Sequence, residues 1–173
     1  RTWMQNYLEE GKEITLSPLP MYHIFAFSVN CLAMLSYGAH TVLVTNARDL
    51  SSIVKEFNRS KISLMTGLNT LFNALLNNEE FRKCDFSSLK ITVGGGMAIQ
   101  RVVADRWKEV TGCPLTEGYG MTESSPLISV NPLDGGKVGS IGLPVSSTDI
   151  RIMKEDGTLA GYNEIGEIQC KGP

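Results

Sequence analysis

Histidine is scarce in this sequence, with two residues in 173, and cysteine is scarce and scattered. The four cysteines stand at positions 31, 84, 113 and 170, and no two of them form a C-x-x-C pair. That spacing argues against a zinc ribbon, a thioredoxin-type site and a disulfide scaffold, and it reads as buried or incidental thiols in a reducing compartment. His23 and His40 have no third ligand at metal-binding spacing. Neither charge is in excess, because 16 Lys and Arg against 18 Asp and Glu leave a net −2. A nucleic-acid surface needs a basic face, so no nucleic-acid partner is expected. Charge is also missing locally: Ile14 to Ala47 contains no Asp, Glu, Lys or Arg. This is not a membrane span. Pro18, Pro20, His23, Asn30 and Gly38 interrupt the run and leave no apolar helix of about 20 residues. No signal-peptide pattern is read in these residues, and a cut N-terminus would hide one. There is no P-loop either, since no glycine-rich stretch ends in Gly-Lys-Ser/Thr.

What remains is an ordinary globular composition, 42% hydrophobic and 20% charged. A chain of this length buries a core without disulfides or a structural metal. It opens on Arg1, not Met, and closes on Lys171-Gly172-Pro173, so it reads as a piece of a longer protein.

Periodicity divides the chain into alternating strands and helices. Trp3, Met4, Tyr7 and Leu8 have helical spacing. Ile14 to Leu19 reads as a strand closed by Pro20, and Ile24 to Tyr37 as a buried helix, apolar almost all round and stopped by Gly38. Thr41 to Thr45 is a short strand. Leu50, Ile53, Val54 and Phe57 form a helical stripe capped by Asp49. After a strand at Ile62 to Met65, a second stripe runs through Leu68, Leu71, Phe72, Leu75 and Leu76. Ile91 to Val93 is a strand leading into Gly94-Gly95-Gly96. Ile99, Val102, Val103, Trp107 and Val110 make a third stripe, ended by Gly112, and Leu115 to Glu117 a last short strand. The fold class is therefore α/β, a mostly parallel sheet flanked by helices in βαβ units. After Pro132 the texture changes. Ile150 and Ile152 alternate with polar neighbours, Asp156-Gly157 marks a turn, and Ile165 and Ile168 sit in a closing strand. Two units are expected: an α/β subdomain over 1–134 and the start of a small antiparallel β unit over 135–173.

Ligands of open parallel sheets bind beyond the carboxyl ends of the strands. Three loops fall there: Pro20-Met21-Tyr22-His23, Gly94 to Ala98, and Gly118 to Ser125. Gly94-Gly95-Gly96 leaves room for a flat ligand against bare backbone, and a helix N-terminus near Ile99 favours anions. It fails the dinucleotide fingerprint, because Ile99 stands where that pattern needs glycine. Alone, it reads as a tight strand-to-helix turn. In Gly118-Tyr119-Gly120-Met121-Thr122-Glu123, an aromatic ring can stack on a base, a hydroxyl can donate to phosphate, and a carboxylate can hold Mg²⁺. Equally, Thr122 can be a helix N-cap with Glu123 in its first turn. His23 alone reads as a satisfied core or loop residue.

Taken together, these segments resemble the adenylate-forming acyl-CoA synthetase (AMP-binding) superfamily. Leu19-Pro20-Met21-Tyr22-His23-Ile24 is similar to its P-L-Y-H-I segment, Gly94-Gly95-Gly96-Met97 to its adenine-side glycine segment, and Glu117 to Glu123 to its Y-G-x-T-E signature. Asn69 to Asn78, Asp85 to Leu89, Ser129 to Pro132 and Gly139 to Pro144 resemble bacterial long-chain fatty-acid–CoA ligases. The resemblance implies a two-step reaction. A fatty acid and ATP give acyl-AMP and pyrophosphate, and coenzyme A then takes the acyl group. It implies nucleotide binding by Gly94, Gly95, Gly96, Met97, Glu117, Gly118, Tyr119, Gly120, Met121 and Thr122. It implies substrate binding by His23, Ile24, Gly95, Gly96 and Met121, catalytic roles for Thr122, Glu123 and His23, and Mg²⁺ on Glu123. A cytoplasmic enzyme is implied, compatible with peripheral contact at the inner face of the membrane and with a homodimer. Aryl-CoA, luciferase-like and amino-acid adenylating enzymes share the signature, and a non-catalytic nucleotide-binding module is the alternative of another class. The family's Ser/Thr/Gly-rich phosphate loop, its T-G-D aspartate for the ribose, its hinge and its C-terminal lysine have no counterpart here. The expectation is an internal fragment, inactive by itself.

Overall fold

The computed structural model describes residues 3–173. In chain order the elements begin with β1 (Ile14–Ser17), followed by α1 (Ile24–Ala26), a π-helical segment (Phe27–Ala33) and α2 (Met34–Ser36), which form one bent helical run. β2 (His40–Leu43), α3 (Leu50–Arg59), β3 (Leu64–Gly67), α4 (Asn69–Leu76), β4 (Ile91–Gly94), α5 (Arg101–Thr111) and β5 (Leu115–Gly120) complete the alternation. β6 (Leu127–Val130), β7 (Leu143–Pro144), β8 (Asp149–Met153) and β9 (Glu167–Lys171) close the chain.

Seven strands make one sheet in the order β2-β1-β3-β4-β5-β6-β7. The five from β2 to β5 are parallel, and β6 and β7 add antiparallel at the end. β8 and β9 pair antiparallel in a separate two-stranded sheet. The expected mostly parallel sheet and small antiparallel unit are both present.

Crossover handedness explains which face each helix covers. The strand order reverses between β1 and β3, so right-handed crossovers place the first helical run on one face and α3, α4 and α5 on the other. The two cores follow that division. Ile53, Phe57, Phe72, Leu75, Phe81 and Trp107 pack with Leu16 and Met65 on the α3–α5 face. Phe25, Ala26, Met34 and Tyr37 pack with Met4, Leu8, Leu64, Ile91 and Val93 on the other. The parallel strands β3 and β4 are buried on both faces, as βαβ architecture requires.

Several sequence expectations need correction. The Ile24 to Tyr37 helix is not apolar-buried all round. Its middle turn is π-helical, and Phe27, Leu32 and Leu35 are exposed, so only one side faces the core. Trp3 to Tyr7 forms turns and no helix, and Arg1 and Thr2 lie outside the described residues. Val102 is exposed and leaves the third stripe, while Ile99, Val103 and Trp107 are buried as expected and Ala104 and Thr111 join them. Leu68 precedes α4 as its N-cap. Ile165 is exposed and lies before β9. The strand ending at Glu117 continues to Gly120, because β6 supplies it with a second, antiparallel ladder. Among the described residues, no helix is long and apolar enough to cross a membrane.

Candidate functional site

The carboxyl ends of β1, β4 and β5 bring three loops to one edge of the sheet, where an open cavity of about 300 Å³ forms. Its wall includes His23, Ile24 and Phe25 from the first loop and Gly95 and Gly96 from the second. The third side is Gly118 to Glu123, with Pro126 and Leu127. The convergence expected from topology is present. Most of the candidate residues meet here: His23, Ile24, Gly95, Gly96, Gly118, Tyr119, Gly120, Met121, Thr122 and Glu123. Gly94, Met97 and Glu117 do not line the cavity.

His23 is the N-cap of α1. Its Nδ1 accepts a hydrogen bond from the Phe25 backbone N–H at 3.2 Å. A neutral ring that accepts at Nδ1 carries its proton on Nε2. An Nε2–H on this exposed ring is a donor suited to a carboxylate or phosphate oxygen.

Tyr119 belongs to a strand, not a loop. β5 pairs with β6 as Gly118↔Val130, Tyr119↔Ser129 and Gly120↔Leu127, with a bulge between Tyr119 and Gly120. The ladder holds the ring's backbone, and the bulge re-aims the chain into the turn that follows. Gly120 is there because nothing larger fits: a Cβ at this position would lie 1.8 Å from the Pro126 carbonyl oxygen. That same oxygen accepts the Met121 N–H at 2.9 Å. Thr122 is not an N-cap. Met121 occupies that place ahead of a single 3₁₀ turn, Thr122–Ser124, and the Ser124 hydroxyl accepts the Met121 N–H at 3.1 Å. The hydroxyl of Thr122 and the carboxylate of Glu123 therefore stand exposed at the rim.

The glycine loop is pinned from behind. Glu117 Oε1 accepts the Ile99 N–H at 3.2 Å, and Asn69 Oδ1 accepts the Gln100 N–H at 2.9 Å. These amides precede α5 and are already engaged, which removes them from the anion site expected near Ile99. Gly94 serves packing: a Cβ there would lie 2.6 Å from the Ile99 Cδ1. Met97 is exposed on the outside of the loop. Glu117 is buried, its Oε2 has no partner, and it lines a second cavity between α5 and the 132–138 loop. Sequence reasoning missed Phe25, Pro126 and Leu127 as wall residues and Asn69 and Glu117 as latches. Phe25, two residues from His23, and Pro126, next to Ser125, are the ones that adjacency could have suggested.

Among the described residues, no group of three or more His, Cys, Asp or Glu side chains could hold a metal ion. Glu123 offers one exposed carboxylate beside a hydroxyl. That donor set fits Mg²⁺ bound as in nucleotide sites, by one or two carboxylates with phosphate oxygens and water.

Over 155 residues the chain is 56% identical to the long-chain-fatty-acid–CoA ligase of Haemophilus influenzae, covering 89% of this chain and 28% of that ligase. It is 50% identical to the Yersinia pestis long-chain-fatty-acid–CoA ligase over 167 residues, 96% of this chain and 30% of that one. Its fold matches an anthranilate CoA ligase crystallised with anthranoyl-AMP at a TM-score of 0.89 and 25% identity, covering 98% of this chain and 33% of that structure. The chain thus spans about a third or less of each relative's length. The AMP-binding enzyme family itself matches from residue 1 to residue 173, signature loops included, and the chain belongs to that family.

Proposed function

We propose that this chain is the central part of a long-chain fatty-acid–CoA ligase, in which it supplies one wall of the adenylation site. The observation that carries the reading is the convergence of His23, Gly95, Gly96, Tyr119, Thr122 and Glu123 on one cavity. The identity of 56% to a fatty-acid–CoA ligase supports the fatty-acyl branch over aryl or amino-acid substrates.

On this reading the adenine of ATP lies between Tyr119 and the part of the glycine loop that lines the cavity, Gly95 and Gly96. The loop is held in place by Glu117 and Asn69. The Thr122 hydroxyl donates to the α-phosphate. His23, through Nε2–H, orients the fatty carboxylate, and Ile24, Gly95, Gly96 and Met121 border the acyl chain. A carboxylate oxygen attacks the α-phosphorus and pyrophosphate leaves. The coenzyme A thiol, losing its proton, then attacks the acyl carbonyl and AMP leaves. The protein's share is positioning and charge stabilisation. Mg²⁺ on Glu123, when bound, neutralises charge on the phosphates. The 1–134 unit carries these loops. The 135–173 unit contributes β7 to the sheet edge before forming its own hairpin. A cytoplasmic enzyme, with peripheral contact at the inner face of a membrane and a homodimeric state, goes with a fatty substrate and is open to fractionation and sizing.

The test is a chimera in which this chain replaces its counterpart in the Haemophilus influenzae ligase. Acyl-CoA should form from long-chain fatty acids, ATP and coenzyme A, with little from aryl acids. Glu123→Gln should lower kcat by roughly tenfold or more and weaken the Mg²⁺ dependence. The 173-residue chain alone should release no pyrophosphate. A folded chimera that makes no acyl-AMP, or prefers aryl acids, overturns the reading.

A further inference from the structure

The first helical run carries a feature that neither its packing nor the proposed chemistry explains. Phe27–Ala33 is π-helical, and its one buried residue is Asn30, an amide with no exposed surface. Single π-turns inside α-helices occur often at functional sites. The Asn30 Nδ2 donates to Ser17 Oγ at 2.7 Å and to Thr66 Oγ1 at 2.8 Å. Ser17 ends β1 and Thr66 lies near the end of β3, so the amide bridges the two strands between which the sheet order reverses. Ser17 Oγ in turn donates to Met21 Sδ at 3.3 Å, in the loop that leads to His23. Thr41 Oγ1 donates to the Asn30 carbonyl at 2.9 Å, which ties the π-turn to β2.

This arrangement is not an economical way to stabilise a core. Asn30 Oδ1 is buried without a partner, and so is the nearby Thr15 Oγ1 on β1. An unpaired buried acceptor costs stability, and an apolar replacement of similar shape is often neutral or better. Geometry gives the amide a different use. A residue inserted into a helix rotates one end against the other by about 100°, one residue's share of a 3.6-residue turn. The end so rotated is the one that presents His23, Ile24 and Phe25 to the cavity, with the Phe25 ring 3.1 Å from where a Cβ on Gly95 would stand.

We propose that Asn30 is a positioning residue: clamped by Ser17 and Thr66, it holds the π-turn that aims His23 and Phe25 into the cavity. The proposal rests on the functional reading only for its kinetic consequence. The clamp itself is a statement about the chain.

The test therefore has two arms. In the 173-residue chain, Asn30→Leu should shift the NMR signals of the His23 ring, the Phe25 amide and the Met21 methyl. Signals from α5 should stay in place, and the melting temperature should not fall. Unshifted signals at His23 and Phe25 overturn the clamp, whatever reaction the cavity hosts. In the ligase chimera, Asn30→Leu should raise KM for the fatty acid by about tenfold and change KM for ATP by less than about twofold. Equal changes in both, or none, overturn the positioning role even if the spectra move. If the Asn30→Leu chain does not fold, Thr66→Val, close in shape and lacking one acceptor, carries the same readouts with smaller shifts. Where Asn30→Leu does fold, adding it to Thr66→Val should have a non-additive effect on KM, because the two residues share one interaction. An inactive parent chimera counts against the ligase reading alone, and the spectra decide the clamp.

Discussion

At the scale of single residues, two side-chain environments make definite demands. Gly120 faces the Pro126 carbonyl, and a methyl group 1.8 Å from that oxygen forces the backbone apart. Gly120→Ala should cost about 1–3 kcal/mol as an overpacked site and open the Met121 N–H bond to Pro126. A lower melting temperature with weakened nucleotide binding checks it, and an unchanged melt would mean the turn yields freely. Glu13 is the second case. Burial raises its pKa. The Glu9 N–H, the Lys90 ammonium at 2.8 Å and the Ser63 hydroxyl outweigh burial, and the net value lies below the ordinary 4.5. A depressed carboxylate contributes stability that is present above its unfolded pKa and is lost as pH falls through the folded one. Acid unfolding should therefore include a component that sets in as pH falls below the ordinary 4.5, and that Glu13→Gln removes. Lys90→Met should leave the buried charge with fewer partners and lower stability at pH 7 by about 1–3 kcal/mol, discounted because Lys90 is partly exposed. Urea melts at pH 7 and pH 4 give both numbers.

At the scale of elements, α3 shows what local sequence can specify. Ile53 and Phe57 are buried as the stripe predicts, and Asp49 caps the helix. Its carboxylate accepts the Ser52 N–H at 3.3 Å and the Ser51 hydroxyl at 2.7 Å. Asp49→Ala should cost about 1 kcal/mol, a fall in melting temperature of roughly 2–4 °C for a chain of this size. A loss below a tenth of that would show that Ser51 and Ser52 cap without it. The helices α3, α4 and α5 were legible because each writes its buried face into its own residues. β6 and β7 were not, because Leu127–Val130 and Leu143–Pro144 are short and owe their strand state to β5. The π-turn was not legible either: the partners of Asn30 lie 13 and 36 residues away in sequence. The same holds at the site. The loops were visible as motifs, but the latches Glu117 and Asn69 reach the glycine loop from 18 and 31 residues away. Only the fold brings such pairs together.

At the scale of the whole molecule, the two sheets differ in how they are supported. The seven-stranded sheet is covered on both faces at its centre, where Leu64, Met65 and Ile91 are fully buried. β8 and β9 pair with each other, with one isolated bridge from Met153 to Leu159 beside them, and none of their residues is buried. Their register is regular from Asp149↔Lys171 to Met153↔Glu167, with the exposed pair Arg151 and Gln169 hydrogen-bonded at 3.0 Å. A two-stranded sheet has marginal stability unless a third strand or a helix covers its apolar face. Local opening free energies range from near zero up to the global value, and contact with a core sets where each segment falls. Hydrogen exchange should therefore separate the sheets. Amides of β3 and β4 should exchange at the rate of global unfolding and slow further when the chain is stabilised. Amides of β8 and β9 should exchange orders of magnitude faster and ignore that stabilisation. If the proposed ligase reading holds, the hairpin amides should slow toward the global rate in the chimera, with Ile150, Ile152 and Ile168 covered by its remaining part. Hairpin amides as slow in the isolated chain as those of β4 would show that the two-stranded sheet draws its stability from within these residues.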